Sequence, residues 1–146
     1  MMVGEVRLEY RLIDPDAKPP ARFRETDAAF DLYSIESGTI KPLHHRFFKI
    51  GIQIAAPPGY YWTIESRSGL IKNGVFAMRG IIDATYTGEV IVCLFNMNEN
   101  PISIEKGDRI AQMILHNMVI PYFVEVEEFS NEYNQRGEAG WGSSGQ

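Results

Sequence analysis

From Val6 to Ile13 apolar and polar residues alternate, with Val6, Leu8, Tyr10 and Leu12 set against Arg7, Glu9 and Arg11. A period of two predicts a strand with one wet face. Pro15, Pro19 and Pro20 then impose an extended loop. Further strands are expected over Ala28–Ser34, Thr39–Ile40, Phe47–Ile54 and Tyr60–Ile64, separated by Ser37-Gly38, Pro42-Leu43-His44-His45 and Pro57-Pro58-Gly59. The stretch Ser66–Gly74 reads as one helical turn with Ser66 as its cap and Asn73-Gly74 as its stop. Val75–Met78 and Ile81–Ile82 read as a hairpin, followed by strands over Glu89–Phe95, Ile102–Ile104, Arg109–Leu115 and Val119–Val126. No helical period lasts three turns. About ten short strands between Gly, Pro and Asn signals predict an all-β chain, a jelly-roll-like sandwich or barrel.

Length and charge narrow the classes. A chain of 146 residues is sized for one domain, here 1–126, and residues 127–146 differ in kind: polar and rich in Gly and Ser. A net charge of −5 argues against a nucleic-acid partner, which needs a basic face to displace phosphate counterions. It leaves room for a small anion held by a few arginines and backbone N–H groups. No apolar run is long enough to cross a bilayer, and the first residues lack the layout of a signal peptide. The single cysteine, Cys93, lies in the apolar run Val90–Phe95 and reads as a small core residue. These features favour a reducing, intracellular setting, cytoplasmic or nuclear, with no membrane.

The stretch Gly80–Val90 carries the chemistry-bearing pattern. Apolar Ile81 and Ile82 lead to Asp83 at a strand tip, and Tyr86 offers a flat ring three residues on. A strand-end aspartate either bonds its own turn or presents a rigidly held carboxylate. Other clusters fit around that carboxylate. Arg67-Ser68-Gly69 sets a guanidinium, a hydroxyl and a bare N–H side by side, donors suited to phosphate. Gly107-Asp108-Arg109-Ile110-Ala111-Gln112 puts an amide just inside a strand. The tail offers Arg136, Trp141, Gly142, Ser143 and Ser144, a run of N–H groups and hydroxyls beside an arginine. His44 and His45, adjacent on extended chain, point to opposite faces and lack a third ligand at natural spacing, so they read as an exposed turn.

Taken in order, these clusters closely resemble the five motifs of the trimeric dUTP diphosphatases (dUTPases): Ala28–Leu32, Ser66–Leu70, Gly80–Gly88, Gly107–Gln112 and Arg136–Gly145. The resemblance implies a homotrimer of jelly-roll subunits with a glycine-rich C-terminal arm. One subunit would supply the second and fourth motifs to a site, a neighbour the third, and the remaining subunit its arm. It implies hydrolysis of dUTP to dUMP and pyrophosphate with Mg²⁺ on the substrate phosphates. Asp83 would activate the water and Tyr86 would stack on deoxyribose. The backbone from Ala77 through Gly80, Ile81 and Ile82 would read uracil. Arg67, Ser68, Gly69 and Gln112 would hold phosphates. Arg136, Gly142, Ser143 and Ser144 would bind the terminal phosphate while Trp141 covers the base.

Some positions depart from the family's usual pattern: Ala29 for Gly, Thr85 and Thr87 for an acid and an arginine or glutamine, Trp141 for Phe and Ser144 for Thr. Ala77 brings no side-chain amide to the base. Two other readings share the scaffold. A dCTP deaminase would use a glutamate base, for which Glu89 is the candidate. A non-catalytic nucleotide-binding trimer would need neither Asp83 nor the phosphate arginines.

Overall fold

A computed structural model describes residues 4–133, 137, 138 and 140. Ten strands, one helical turn and a short 3-10 turn follow in order: β1 (Glu9–Leu12), β2 (Phe30–Tyr33), β3 (Gly38–Ile40), β4 (His45–Ala55), β5 (Tyr60–Glu65), α1 (Ser68–Ile71), β6 (Val75–Ala77), β7 (Gly80–Ile82), β8 (Glu89–Asn96), β9 (Ile102–Ile104), β10 (Arg109–Asn117) and the 3-10 turn Asn131–Tyr133. A first sheet runs β1-β4-β8-β6, a second β2-β10-β5-β7, and β3 pairs with β9. All the pairings are antiparallel. The all-β expectation is met. Among the described residues no helix is long and apolar enough to cross a membrane.

The period-two pattern explains the core. In β8, Val90, Val92 and Leu94 face inward and are fully buried against Ile50, Ile52 and Trp62 from the neighbouring strands and the facing sheet. The alternate residues face out, and Cys93 is one of them. It is half-buried on the outer side of β8 rather than in the core, and that burial pushes its thiol pKa up. An unbroken apolar run hides which of its faces is the inner one.

Two backbone features shape the first sheet. At Gly51 (φ +67°) the β4–β8 register shifts, and a side chain there would press on Asp14 and Ala17. Past the bulge β4 stays paired with β8 at Gln53–Glu89 while its other edge pairs with β1. Asn96 closes the far end. Its fully buried amide donates to the carbonyls of Ile40 (3.0 Å) and Asn100 (2.9 Å), and its oxygen accepts the N–H of Asn98 (2.9 Å). An alanine at 96 would orphan these groups, so Asn96→Ala is expected to cost about 2–4 kcal/mol of stability by urea unfolding. A loss below about 1 kcal/mol would mean water replaces the amide.

Three further expectations are corrected. Val75–Met78 and Ile81–Ile82 form no hairpin: β6 pairs with β8 in one sheet and β7 with β5 in the other, so the chain crosses between sheets at Met78-Arg79. Ser66 does not cap α1, whose N-cap position is Arg67 with no side-chain cap bond; the Ser66 hydroxyl bonds Ala77 instead. Val119–Val126 is not a strand. Residues 118–130 have no regular structure, and Val119, Tyr122 and Phe123 are 86%, 89% and 94% exposed. A strand needs an edge to pair with, and this segment pairs with none of the sheet edges of its own chain.

Candidate functional site

The second sheet positions most of the described site residues. Asp31 on β2, Gln112 on β10 and Glu65 on β5 lie in direct register, so all three side chains project from one face. Arg67, two residues past Glu65, reaches the same face. Its Nε donates to Asp31 Oδ1 at 2.7 Å and its Nη1 donates to the Arg109 carbonyl at 3.2 Å. Arg109 Nη1 lies 3.6 Å from Asp31 Oδ2. One carboxylate thus braces two guanidiniums, leaving a net positive corner. The Arg67 and Asp31 side chains are only 22% and 17% exposed, so water screens their pair less than a surface pair.

The residues after Arg67 are open. Ser68 and Gly69 are exposed, and a Cβ on Gly69 would meet nothing within 4 Å, so packing within the chain does not demand glycine there. Gln112 Nε2 donates to the Ser66 carbonyl at 2.9 Å, which ties the β10 amide to the base of this loop. Asp108 serves the turn: its carboxylate accepts the N–H of Glu105 at 2.8 Å.

Asp83 stands at the other end of the sheet, immediately after β7. Tyr86 N–H closes a turn on the Asp83 carbonyl at 3.2 Å, and the aspartate side chain is exposed. Thr85 holds φ +65°, a left-handed conformation costly for a β-branched residue, pinned by its N–H to the Ala56 carbonyl at 2.9 Å. The Tyr86 ring folds back over Gly88, where any Cβ would fall inside the phenol. Glycine at 88 leaves room for the ring in this position, and a side chain there would push the exposed phenol aside.

Register sets the distance between these groups. Ile82 lies opposite Trp62, which places Asp83 across from Tyr61, six positions before Arg67. At a rise of about 3.3 Å per residue, extending both strands by a residue or two, their backbones are roughly 20 Å apart along the strand direction within one chain. The edges of β6 and β7 not used in pairing flank the crossing at Met78-Arg79. Between Ala77 and Ile82, the Ala77 amide and carbonyl are both engaged by Ser66 Oγ, at 2.9 and 3.0 Å. Arg136, Trp141, Gly142, Ser143 and Ser144 lie outside the described residues.

Among the described residues no group of three or more His, Cys, Asp or Glu is arranged to hold a metal. His44 and His45 are exposed, and His44 Nδ1 lies 2.7 Å from the Pro42 carbonyl. The residues to which the sequence gave no role in the site are Asp31, Arg109 and Ser66, the last having been expected only as a helix cap. Only the spacing of Asp31 within its motif hinted at the first.

The fold is thus an antiparallel β-sandwich with a braced cationic corner at one end of a sheet and an exposed carboxylate at the other. The dUTPase family model matches residues 16–145. The chain is 40% identical to the deoxyuridine 5'-triphosphate nucleotidohydrolase of Kluyveromyces lactis over 94% of this chain and 93% of that protein. It is 42% identical to the protein of the same name from Corynebacterium diphtheriae, over 91% and 89%. Among solved structures, the dUTPase of Staphylococcus bacteriophage 80alpha with dUPNHPP superposes with a TM-score of 0.88 at 29% identity, covering 96% of this chain and 99% of that one. The dUTPase of phage phi11 of S. aureus, solved as a point mutant with a structural Mg(II) ion, gives 0.79 at 25% identity over 84% and 98%. The chain belongs to the dUTPase family.

Proposed function

We propose that this protein hydrolyses dUTP to dUMP and pyrophosphate at sites shared between the subunits of a homotrimer. The observation carrying this reading is the separation of Asp83 from Arg67. One phosphate chain cannot touch both within a subunit, whereas a carboxylate from one copy and a phosphate-binding corner from the next can meet on it. The exposed apolar segment after Asn117 supports association, because side chains such as Phe123 gain about 1.5–3 kcal/mol each on burial. Residues 1–126 then form the domain proper, and 127–146 the arm that closes a neighbour's site.

In the composite site, Arg67, Ser68, Gly69 and Gln112 bind the phosphates, with Asp31 holding the guanidinium in place. Backbone groups of Gly80, Ile81 and Ile82, next to Ala77, face the base, and Tyr86 packs on the deoxyribose. Asp83 orients a water toward the α-phosphorus and takes its proton, an effect resting mainly on geometry. The arm brings Arg136, Gly142, Ser143 and Ser144 to the terminal phosphate and Trp141 over the base, excluding water. The donor set suits a substrate that carries its own Mg²⁺, since the Asp31 carboxylate is already spent on arginines. The ion would offset the charge of the triphosphate.

The deciding assay is pyrophosphate release from dUTP, UTP, dCTP and dTTP, with and without Mg²⁺. Release from dUTP alone, dependent on Mg²⁺, is expected. Ammonia from dCTP would instead establish the deaminase, and no turnover the non-catalytic binder. The Asp31 brace gives a second prediction. Asp31→Asn removes the charge that orients Arg67, so KM for dUTP should rise about tenfold with kcat within about threefold. An unchanged KM in steady-state kinetics would show that Arg67 is placed by other contacts.

A further inference from the structure

Ser66 stands where β5 of the second sheet passes into α1. Its hydroxyl accepts the Ala77 N–H at 2.9 Å and donates to the Ala77 carbonyl at 3.0 Å, while its own carbonyl accepts Gln112 Nε2 at 2.9 Å. Ala77 ends β6 in the first sheet, and three residues later Gly80 pairs with Ile64 of β5. Residues 77–80 are therefore a bridge between the sheets, held at both ends against one stretch, 64–66. Met78 N–H points the other way, to the Cys93 carbonyl at 2.8 Å. The Ala77 groups thus lie on the edge of β6 that β8 does not use, and a serine side chain takes the place of a partner strand.

We propose that Ser66 is a positioning residue that sets base selectivity by masking the Ala77 amide and carbonyl. The inference rests on the reading of Gly80, Ile81 and Ile82 as the base-contacting groups, with Ala77 beside them. A bare backbone N–H and C=O beside a base serve as donor and acceptor to almost any ring edge. Uracil offers an acceptor at O4 and a donor at N3, and cytosine offers the reverse, an amino donor at C4 and an acceptor at N3. An unmasked Ala77 carbonyl would accept from the cytosine amino group, and its N–H would suit cytosine N3. With both bound to Ser66, the segment shows a nucleotide one fixed set of groups, so a mismatched base leaves buried polar atoms unpaired. Alanine at 77 has no side chain that could perform this task itself. The Gln112 bond to the same residue ties the bridge to the phosphate-binding side of the sheet.

The test combines a measurement on the ligand-free protein with kinetics. In wild type and in Ser66→Thr, which keeps the hydroxyl, amide hydrogen exchange at Ala77 followed by NMR should be slow. In Ser66→Ala it should be at least about tenfold faster while the Met78 amide stays protected. Kinetically, Ser66→Ala should raise KM for dUTP more than it lowers kcat and reduce the dUTP over dCTP ratio of kcat/KM by about tenfold, with Ser66→Thr restoring the ratio. A loss of packing alone would lower activity toward both nucleotides without moving that ratio. Fast exchange at Ala77 in the wild type overturns the proposal without any variant, and so does an unchanged ratio in a folded Ser66→Ala protein. If wild type fails to release pyrophosphate from dUTP, the functional reading falls, and the Ala77 exchange still reports on the mask.

Discussion

Asp83→Asn is expected to lower dUTP turnover by about 10³-fold while binding of a non-hydrolysable dUTP analogue stays within a few-fold of wild type. The substitution keeps the shape of the side chain and its ability to contact water. It removes the acceptor for the proton that the attacking water must lose. Because Asp83 is exposed at a strand tip and supports no core contact, folding and assembly should be untouched. Analogue binding by calorimetry separates the two steps, and parallel loss of affinity and rate would refute the assignment. The same variant tests the shared site. Asp83→Asn and Arg67→Ala homomers should each be inactive, yet unfolding and refolding them together should restore activity at about one quarter of the sites by random assortment. No recovery would mean that both residues act within one chain, against the roughly 20 Å that strand rise puts between them.

Removing every residue after Glu132 is expected to reduce turnover by about 10²–10³-fold and leave a folded trimer. That cut takes away Arg136, Trp141, Ser143 and Ser144 but keeps the apolar segment, including the 94% exposed Phe123. Cutting after Asn117 should also weaken assembly, since it removes Val119, Ile120, Tyr122 and Phe123 together. Sedimentation and pyrophosphate release on the two truncations separate closure from association. Full turnover by the shorter cut would sink the clamp, and a trimer as stable without residues 118–146 would place the interface elsewhere.

Strand existence was legible in the chain because its signals are local. Alternation at Val6–Ile13, Gly-Pro turns and β-branched runs report a backbone's own preferences, and most predicted strands lie within a few residues of those observed. The family motifs were legible for the same reason, as short strings at strand ends. The chemistry of Arg67-Ser68-Gly69 could be named from residue type alone.

Partnership was not local, and the tertiary structure decided it. Val75–Met78 and Ile81–Ile82 sit close enough in sequence to pair, but burying Val75 and Ala77 against β8 and joining Gly80 to Ile64 sends them to different sheets. Cys93 lies in a run apolar on both faces, so only the opposing sheet distinguishes in from out. Ser66 has the composition of a helix cap, yet its hydroxyl satisfies an unpaired edge at Ala77 that exists only after the sheets meet. Asp31 and Arg67 are 36 positions apart and become partners through the rungs of β2, β10 and β5. Val119–Val126 has a strand's composition but pairs with no edge of its own chain. Backbone propensity and side-chain chemistry are properties of neighbouring residues and so were written in the sequence. Pairing, facing and the use of a hydrogen-bonding group depend on what long-range closure brings opposite it, and that belongs to the folded molecule.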